Sequence, residues 1–354
     1  MRKLASVVII DAVNPIPDTS LACVTLKGKG WNIVTQKDEF QPGDYAVYFE
    51  IDSALPVEDR YEFLKARCLK KFNEDECLRI KTIRLRGVIS QGIVLPIRLF
   101  PEITEITEGL DVTDLLKVRH YDDLKVIHQP GVNLNSDIYG SFPSVIPRTD
   151  EERIQNLAHL FSDPSLVDVG FEVTHKDDGS SVTMFYAPSI SEDEPFGICS
   201  RNYRLKRESP ENSLQWKVAQ KYNVEEVLRK HWEDTGCEMA LQGELVGPGI
   251  QSNRDKYTAH EWHVFKIWDI NRQEYLPPGV AKVVCEHLGL QYVTVLYKDL
   301  EVFKLCHSVQ DVLNLAEGLT ARGNPREGLV FKSNTAEPWS FKAISNSYLL
   351  KSKD

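Results

Sequence analysis

The sequence predicts an α+β protein, an N-terminal OB-type β-barrel followed by a domain of antiparallel sheets flanked by helices. Three observations predict it. Over residues 1–125, short β-branched and aromatic runs recur between turns that carry Gly or Pro. Beyond about residue 149, strand-like runs and helical periods alternate without a regular βα repeat. The chain has 354 residues, 42% hydrophobic and 27% charged, enough for two domains that each bury a core.

In the first region, Leu4–Ile10 is a continuous β-branched run, Ala22–Leu26 alternates apolar and polar, and Trp31–Val34 follows Gly28 and Gly30. Asp44–Ile51 follows the turn Gln41-Pro42-Gly43, and Gly87 separates Leu78–Leu85 from Val88–Leu95. Arg60–Phe72 reads as an inserted helix. Residues 126–148, opened by Pro130-Gly131 and held irregular by Asn133, Asn135, Gly140, Pro143 and Pro147, read as a linker. The second domain, 149–354, then begins. Thr149 and Glu152 have capping-box spacing, and Ile154, Leu157, Leu160 and Phe161 continue it as a helix. Phe171–His175 and Val182–Tyr186 read as strands, Ser213–Trp232 as one long amphipathic helix, and Met239–Val246 and Trp262–Ile270 as strands. Pro278–His287, with Pro near its start and Gly289 past its end, and Val309–Leu319 read as helices. Gly328–Lys332 and Ser340–Ile344 are the last strands.

The formal net charge is −10, which excludes a generic polyanion binder held by a long-range positive field. Residues 1–125 carry 18 Lys+Arg against 20 Asp+Glu, net −2, and the remainder carries net −8. The first domain is thus the less acidic one. It holds a basic cluster from Lys65 to Arg86, and Lys27, Lys29, Arg84 and Arg86 are its candidate phosphate contacts. Seven scattered cysteines with no C-x-x-C are read as reduced thiols. Only a short apolar run follows Met1-Arg2-Lys3, so neither a leader nor a membrane span is expected, and the expected place is the cytoplasm or nucleus. No P-loop and no dinucleotide-binding glycine motif occurs.

The chemistry centres on Lys176-Asp177-Asp178-Gly179, between two strand-like runs. By itself this is a turn, because Asp and Gly favour turns. Four later stretches change that reading. Glu244 interrupts the apolar run Leu241–Val246, and a charge there is costly unless paired. Phe265 and Trp268 lie in an aromatic strand ending at Asp269. Glu327 and Lys332 flank Leu329-Val330-Phe331, and Lys342 sits inside Trp339–Ile344. Each alone also reads as core or as a half-buried ion pair.

In this order the stretches resemble the covalent nucleotidyltransferases, a group of ATP-dependent RNA and DNA ligases and mRNA capping enzymes. The matching motifs are Lys176–Gly179, Ser200-Arg201, Gly243-Glu244, Trp268-Asp269, Glu327–Lys332 and Phe341-Lys342. The run Gly243–Gln251 is similar to RNA ligases of the bacteriophage type-2 kind, and a barrel placed first resembles an RNA ligase clade with an N-terminal OB domain. The resemblance implies an ATP-dependent RNA ligase that seals 3′-OH and 5′-phosphate ends through lysyl-AMP and RNA-adenylate. Nicked duplexes with RNA on the 3′-OH side are the implied substrate, and the implied state is a monomer. An ATP-dependent DNA ligase, a GTP-dependent capping-type enzyme and a non-catalytic RNA-binding protein of the same fold remain alternatives.

By resemblance, Lys176 is the nucleophile. Lys332 and Lys342 hold the α-phosphate, and Asp178, Glu244 and Glu327 collect a hydrated Mg²⁺ or Mn²⁺. Trp268 or Phe265 stacks on adenine, with the spacing to Asp269 favouring Trp268. His175 offers its backbone to the base, Arg201 approaches ribose or substrate phosphate, and Arg148 or Arg153 reaches the pyrophosphate. Many RNA ligases carry Lys-x-Lys in the last motif. Here the second position is Ile344, so Lys342 acts alone or Lys351 or another base substitutes.

Overall fold

A computed structural model describes residues 3–72, 75–121, 123–124, 137–207 and 213–351. The first eleven positions expected of the linker, 126–136, lie outside the described residues. The chain divides into two compact units. The first takes the described residues of 1–132 together with 155–159 and 350–351; the second takes 137–154 and 160–349.

The first unit is built on a five-stranded antiparallel sheet in the order Ile93–Pro96, Tyr45–Phe49, Ala5–Pro15, Leu21–Leu26, Asn32–Gln36. Its β-branched runs alternate buried and half-exposed positions, as in Leu21–Leu26, so one face covers a core of Val7, Val47, Phe49, Tyr61, Leu78 and Phe100. A register shift between Ile10 and Ala12 bends the long strand, which curls the sheet toward a barrel. A four-stranded sheet and the hairpin Thr82–Leu85/Val88–Gln91 complete it. The expected insert over Arg60–Phe72 is helical only in part. A 3₁₀ turn spans Asp59–Leu64, one α-turn spans Lys65–Cys68, and Leu69–Phe72 is a strand paired with Asp75–Arg79. Pairing with a neighbouring strand outweighs the weak helical period of so short a segment. Within this unit, the Asn156 side chain accepts from Trp31 Nε1 at 2.7 Å and donates to Glu50 at 3.2 Å.

The second unit holds two large sheets. One runs Ile138–Ser141, Tyr203–Leu205, Phe196–Cys199, Ser180–Tyr186, Met239–Val246, Glu261–Asp269, Glu274–Tyr275. The other runs Glu152–Arg153, Ser340–Ile344, Gly328–Ser333, Gly170–Lys176, Val295–Glu301. All their pairings are antiparallel except that of Glu152–Arg153 with Ser340–Ile344. Helices Leu214–Lys221, Val224–Thr235 and Pro278–His287 bury Trp216, Leu228 and Cys285 against the first sheet.

Two expectations fail here for physical reasons. The capping box at Thr149 does not form. Thr149 bonds Ser181, Asp150 pairs with Lys342, Glu151 pairs with Lys266, and three short 3₁₀ turns replace the expected helix. Ion pairs with the sheet outweigh one exposed cap. The helix expected over Ser213–Trp232 is two helices, because Asn223 adopts the left-handed conformation, φ 51°, which Asn tolerates better than most residues. All seven cysteines are free thiols. Among the described residues no helix is long and apolar enough to cross a membrane.

Close approach of backbones sets a strict requirement at Gly328. A Cβ there would stand 2.2 Å from the Ala343 carbonyl oxygen, and backbone cannot yield as a flexible side chain does. Gly328→Ala should therefore cost about 1–3 kcal/mol of stability, read as a lower urea midpoint with an unchanged slope.

Candidate active site

The site is assembled by strand register. Glu172, Thr174 and Lys176 stand directly opposite Lys332, Val330 and Gly328. In the next ladder Lys332, Val330 and Gly328 stand opposite Ser340, Lys342 and Ile344. With a side-chain period of two, all nine lie on one face of the sheet. On the other sheet Ser181, Glu244 and His263 stand in register across three strands.

Lys176 closes its strand, and its ammonium lies 2.7 Å from Glu327, which immediately precedes the facing strand. The turn Asp177-Asp178-Gly179 then crosses toward Glu244. Gly179 does not have the positive φ that its place in a turn suggested. It is needed for closeness, since a Cβ there would meet the Leu245 carbonyl oxygen at 2.4 Å and Glu244 Cγ at 2.8 Å. Asp178 receives the Tyr348 hydroxyl and lies 3.6 Å from Arg254, whose guanidinium stacks over the Tyr348 ring at 4.1 Å. Its Oδ2 is buried without a hydrogen bond.

Three carboxylates thus surround one lysine, and burial and mutual charge together set how they titrate. Burial disfavours the Lys176 ammonium, but Glu327, Glu244 and Asp178 outweigh it and hold the lysine well above its ordinary range. Burial pushes the Glu244 carboxyl up to about 8. Lys176 pulls it down, while Glu327, Asp177 and Asp178 push it further up. Glu327 is raised by burial first, with Lys176 opposing.

Among the described residues, no group of three or more His, Cys, Asp and Glu side chains is close enough to hold a metal ion directly. The donor set of Asp178, Glu244 and Glu327 fits a hydrated divalent cation instead, bound through its water shell. The Asp178 oxygen without a hydrogen bond and the excess of carboxylate are the structural signs of that fit.

Lys332 is 3% exposed and lies 3.0 Å from Glu172, itself 4% exposed, with the Tyr292 hydroxyl completing the triad. Burial lowers the Lys332 pKa, with Glu172 opposing. A small cleft opens beside it, lined by Phe265, Lys266, Tyr275, Tyr292, Lys332 and Trp339, among others. Lys342 donates to Asp150 at 3.0 Å, and Arg201 lies 3.9 Å from the same carboxylate.

The expected residues fall unevenly about this centre. Lys176, Asp178, Glu244 and Glu327 come together. Of the two aromatic candidates, Phe265 lines the cleft. Trp268 donates its indole N–H to the Val145 carbonyl and packs edge-on against Tyr275 at 4.8 Å. The His175 backbone N–H is engaged by the Thr294 carbonyl, and its ring is buried with Nε2 unpartnered. Arg148 reaches Asn202 at 3.4 Å and is exposed. Ile344 is buried, and Lys351 is exposed. In the first unit Lys27 pairs with Glu108, Lys29 donates to Asn156, and Arg84 donates to Gly87.

Sequence reading passed over Glu172, Tyr292, Arg254, Tyr348, His263 and the Asp150-Glu151 pair. Glu172 carried the same signal that singled out Glu244, a carboxylate within an apolar strand. The others carried none, because only tertiary contact brings them in.

Comparison with known proteins follows this geometry. An RNA ligase family model matches residues 170–351, and an OB-fold domain model matches residues 4–97. No curated protein matches the chain. Several solved structures of a Naegleria gruberi RNA ligase are similar throughout. One with pyrophosphate is 35% identical, covers 99% of this chain and 98% of its own, and superposes with a TM-score of 0.85. A lysine-to-alanine variant with ATP and Mn is 33% identical, covers 98% of each chain, and gives 0.84. A glutamate-to-alanine variant with ATP and Mn is 33% identical, covers 100% of each chain, and gives 0.85. The fold and the site define a nucleotidyltransferase-type ligase domain behind an OB-fold domain. The chain belongs to the RNA ligase family.

Two outcomes check the electrostatics. The folded state holds the Glu244 proton to a higher pH than the unfolded chain does, so this group's contribution falls as pH rises from about 4.5 to about 8. Urea unfolding of the ligand-free protein between pH 5 and 8 should show that loss, and Glu244→Gln should flatten it. Glu172→Ala strands the buried Lys332 and should cost about 3–5 kcal/mol in the same assay.

Proposed function

We propose that the protein is an ATP-dependent RNA ligase that joins a 3′-hydroxyl to a 5′-phosphate, preferentially at nicks with RNA on the 3′-OH side. The observation that carries this reading is the lysine at the strand end, 2.7 Å from Glu327 and surrounded by Glu244 and Asp178. The Naegleria gruberi structures with ATP, AMP, Mn and pyrophosphate support it, since those are the ligands of adenylyl transfer.

The first step forms a bond between Lys176 Nζ and the α-phosphorus of ATP and breaks the bond to pyrophosphate. A protonated amine has no lone pair to give, so Nζ must lose its proton first. The carboxylates that hold the ammonium in the free protein are the reason it does not react at rest. A hydrated Mg²⁺ or Mn²⁺ among Asp178, Glu244 and Glu327 would supply positive charge that offsets those carboxylates and lowers the lysine pKa. Lys332 and Lys342, on the same sheet face as Lys176, are placed to neutralise phosphate oxygens as charge builds there. Phe265 offers an aromatic face to the base from the cleft beside Lys332. Arg201 and Arg148 face the phosphates or ribose, and His175 shapes the base site. In the second step an oxygen of the RNA 5′-phosphate displaces Lys176 from phosphorus. In the third the 3′-hydroxyl attacks the activated 5′-phosphate, and AMP leaves. The OB unit grips the nucleic acid, and the protein works as a monomer.

Incubation with α-labelled ATP and a divalent metal should transfer label to the protein, and Lys176→Ala should abolish it. Label taken from GTP and not ATP would overturn the nucleotide assignment. Sealing of DNA-only nicks as fast as nicks with RNA on the 3′-OH side would overturn the RNA preference.

A further inference from the structure

The imidazole of His263 is 6% exposed and is bracketed by two carboxylates. Its Nδ1 lies 2.7 Å from Asp177 Oδ2 and its Nε2 lies 3.2 Å from Glu261 Oε2. The short Nδ1 contact, with a carboxylate as acceptor, makes Nδ1–H the donor to Asp177, and Glu261 stands as a second acceptor across Nε2. Asp177 is itself only 9% exposed and is the residue next to the nucleophile. Every residue of the turn after Lys176 is held by a side chain from elsewhere in the chain. His263 holds Asp177, Arg254 and Tyr348 hold Asp178, and Gln251 donates to the Gly179 carbonyl at 3.3 Å. The His263 bond, at 2.7 Å, is shorter and more buried than the contacts made by Arg254 and Gln251. His263 also stands directly opposite Glu244 in its ladder, so it ties the turn to the strand that carries the site's second acid.

We infer that His263 is a positioning residue for the first chemical step, its ring clamping Asp177 so that the turn presents Lys176 to the α-phosphorus. The inference rests on the adenylyl-transfer reading above. The groups that face the ring are Asp177, Glu261, the Tyr257 ring at 5.8 Å and, in register, Glu244. Arg322 stands 3.8 Å from Glu261 on the far side. Burial lowers the His263 pKa, but the bonds and charges of Asp177 and Glu261 outweigh it and raise it. The clamp matters to rate because attack on phosphorus needs alignment, and a displacement of about 1 Å costs on the order of a hundredfold. It does not matter to the same degree once the RNA end carries AMP, since Nζ forms no bond in the sealing step.

The test uses the full-length protein with His263→Ala, His263→Gln, Asp177→Asn and the double variant of His263→Ala with Asp177→Asn. At saturating ATP, His263→Ala and Asp177→Asn should each slow labelling of Lys176 about tenfold or more, with KM for ATP changed less than about twofold. His263→Gln, which restores one donor, should fall between wild type and His263→Ala. The double variant should be no slower than either single one, because both remove the same bond. Sealing of pre-adenylated RNA should stay within about twofold of wild type. Labelling by His263→Ala at the wild-type rate would overturn the inference. So would equal loss in labelling and in pre-adenylated sealing, which marks a general structural role, or multiplied losses in the double variant. Ring nitrogen NMR at pH 7.5 gives a readout that needs no ATP. Wild type should show His263 Nδ1 carrying a proton, and an unprotonated Nδ1 in wild type would overturn the clamp. Wild-type protein that shows the protonated Nδ1 but takes no label from ATP would overturn the proposed function instead.

Discussion

The interaction on which the second unit depends is the ion pair of Lys176 with Glu327, set among more carboxylate than one lysine can balance. Charge this dense is costly to bury, and hydrophobic packing alone would not select it. It is stable because the lysine stays protonated and the Glu244 carboxyl holds its proton to about 8. The resting protein is therefore charged in the wrong sense for nucleophilic attack. On the proposed function, a cation that brings positive charge to Asp178, Glu244 and Glu327 would make cation binding and nucleophile activation one electrostatic event.

Register makes this arrangement rigid. The face bearing Glu172, Thr174 and Lys176 is fixed by a six-residue antiparallel ladder, and a slip of one residue would turn all three to the opposite side. That opposite face is packed with Phe171, Phe331 and Phe341, the last two stacked at 4.7 Å, so the slip would expose aromatic core. Apolar burial on one side of the sheet thereby holds the lysines in place on the other. Glycines complete the geometry where backbones must nearly touch. Gly179 lets the turn reach Leu245, and Gly328 lets its strand reach Ala343.

The second cationic centre follows the same logic with the opposite balance. Lys332 is matched by a single carboxylate, Glu172, and by the Tyr292 hydroxyl, so burial prevails and lowers its pKa. Two lysines on one sheet face, on adjacent strands and four ladder positions apart, are thus biased in opposite directions by the acids beside them.

The sequence by itself determined many of the elements and singled out the charged residues that gather around Lys176. Ser340–Ile344 and Pro278–His287 have the predicted bounds, because strong alternation and a proline–glycine bracket leave little else for those segments to be. Glu244 was legible because a charge inside an apolar strand needs a reason, and Lys176, Asp178 and Glu327 were legible through the order of the motifs that hold them. Tertiary structure decided what local pattern cannot hold. It turned the expected capping helix at Thr149 into a segment of ion pairs with Lys342 and Lys266, and broke the helix at Asn223. It placed Phe265 in the cleft and Trp268 against Tyr275, and set His263 against Asp177, 86 residues away along the chain. Local periodicity records which face of an element is buried, whereas the partner that meets a polar group across that face is fixed only when two distant strands come into register.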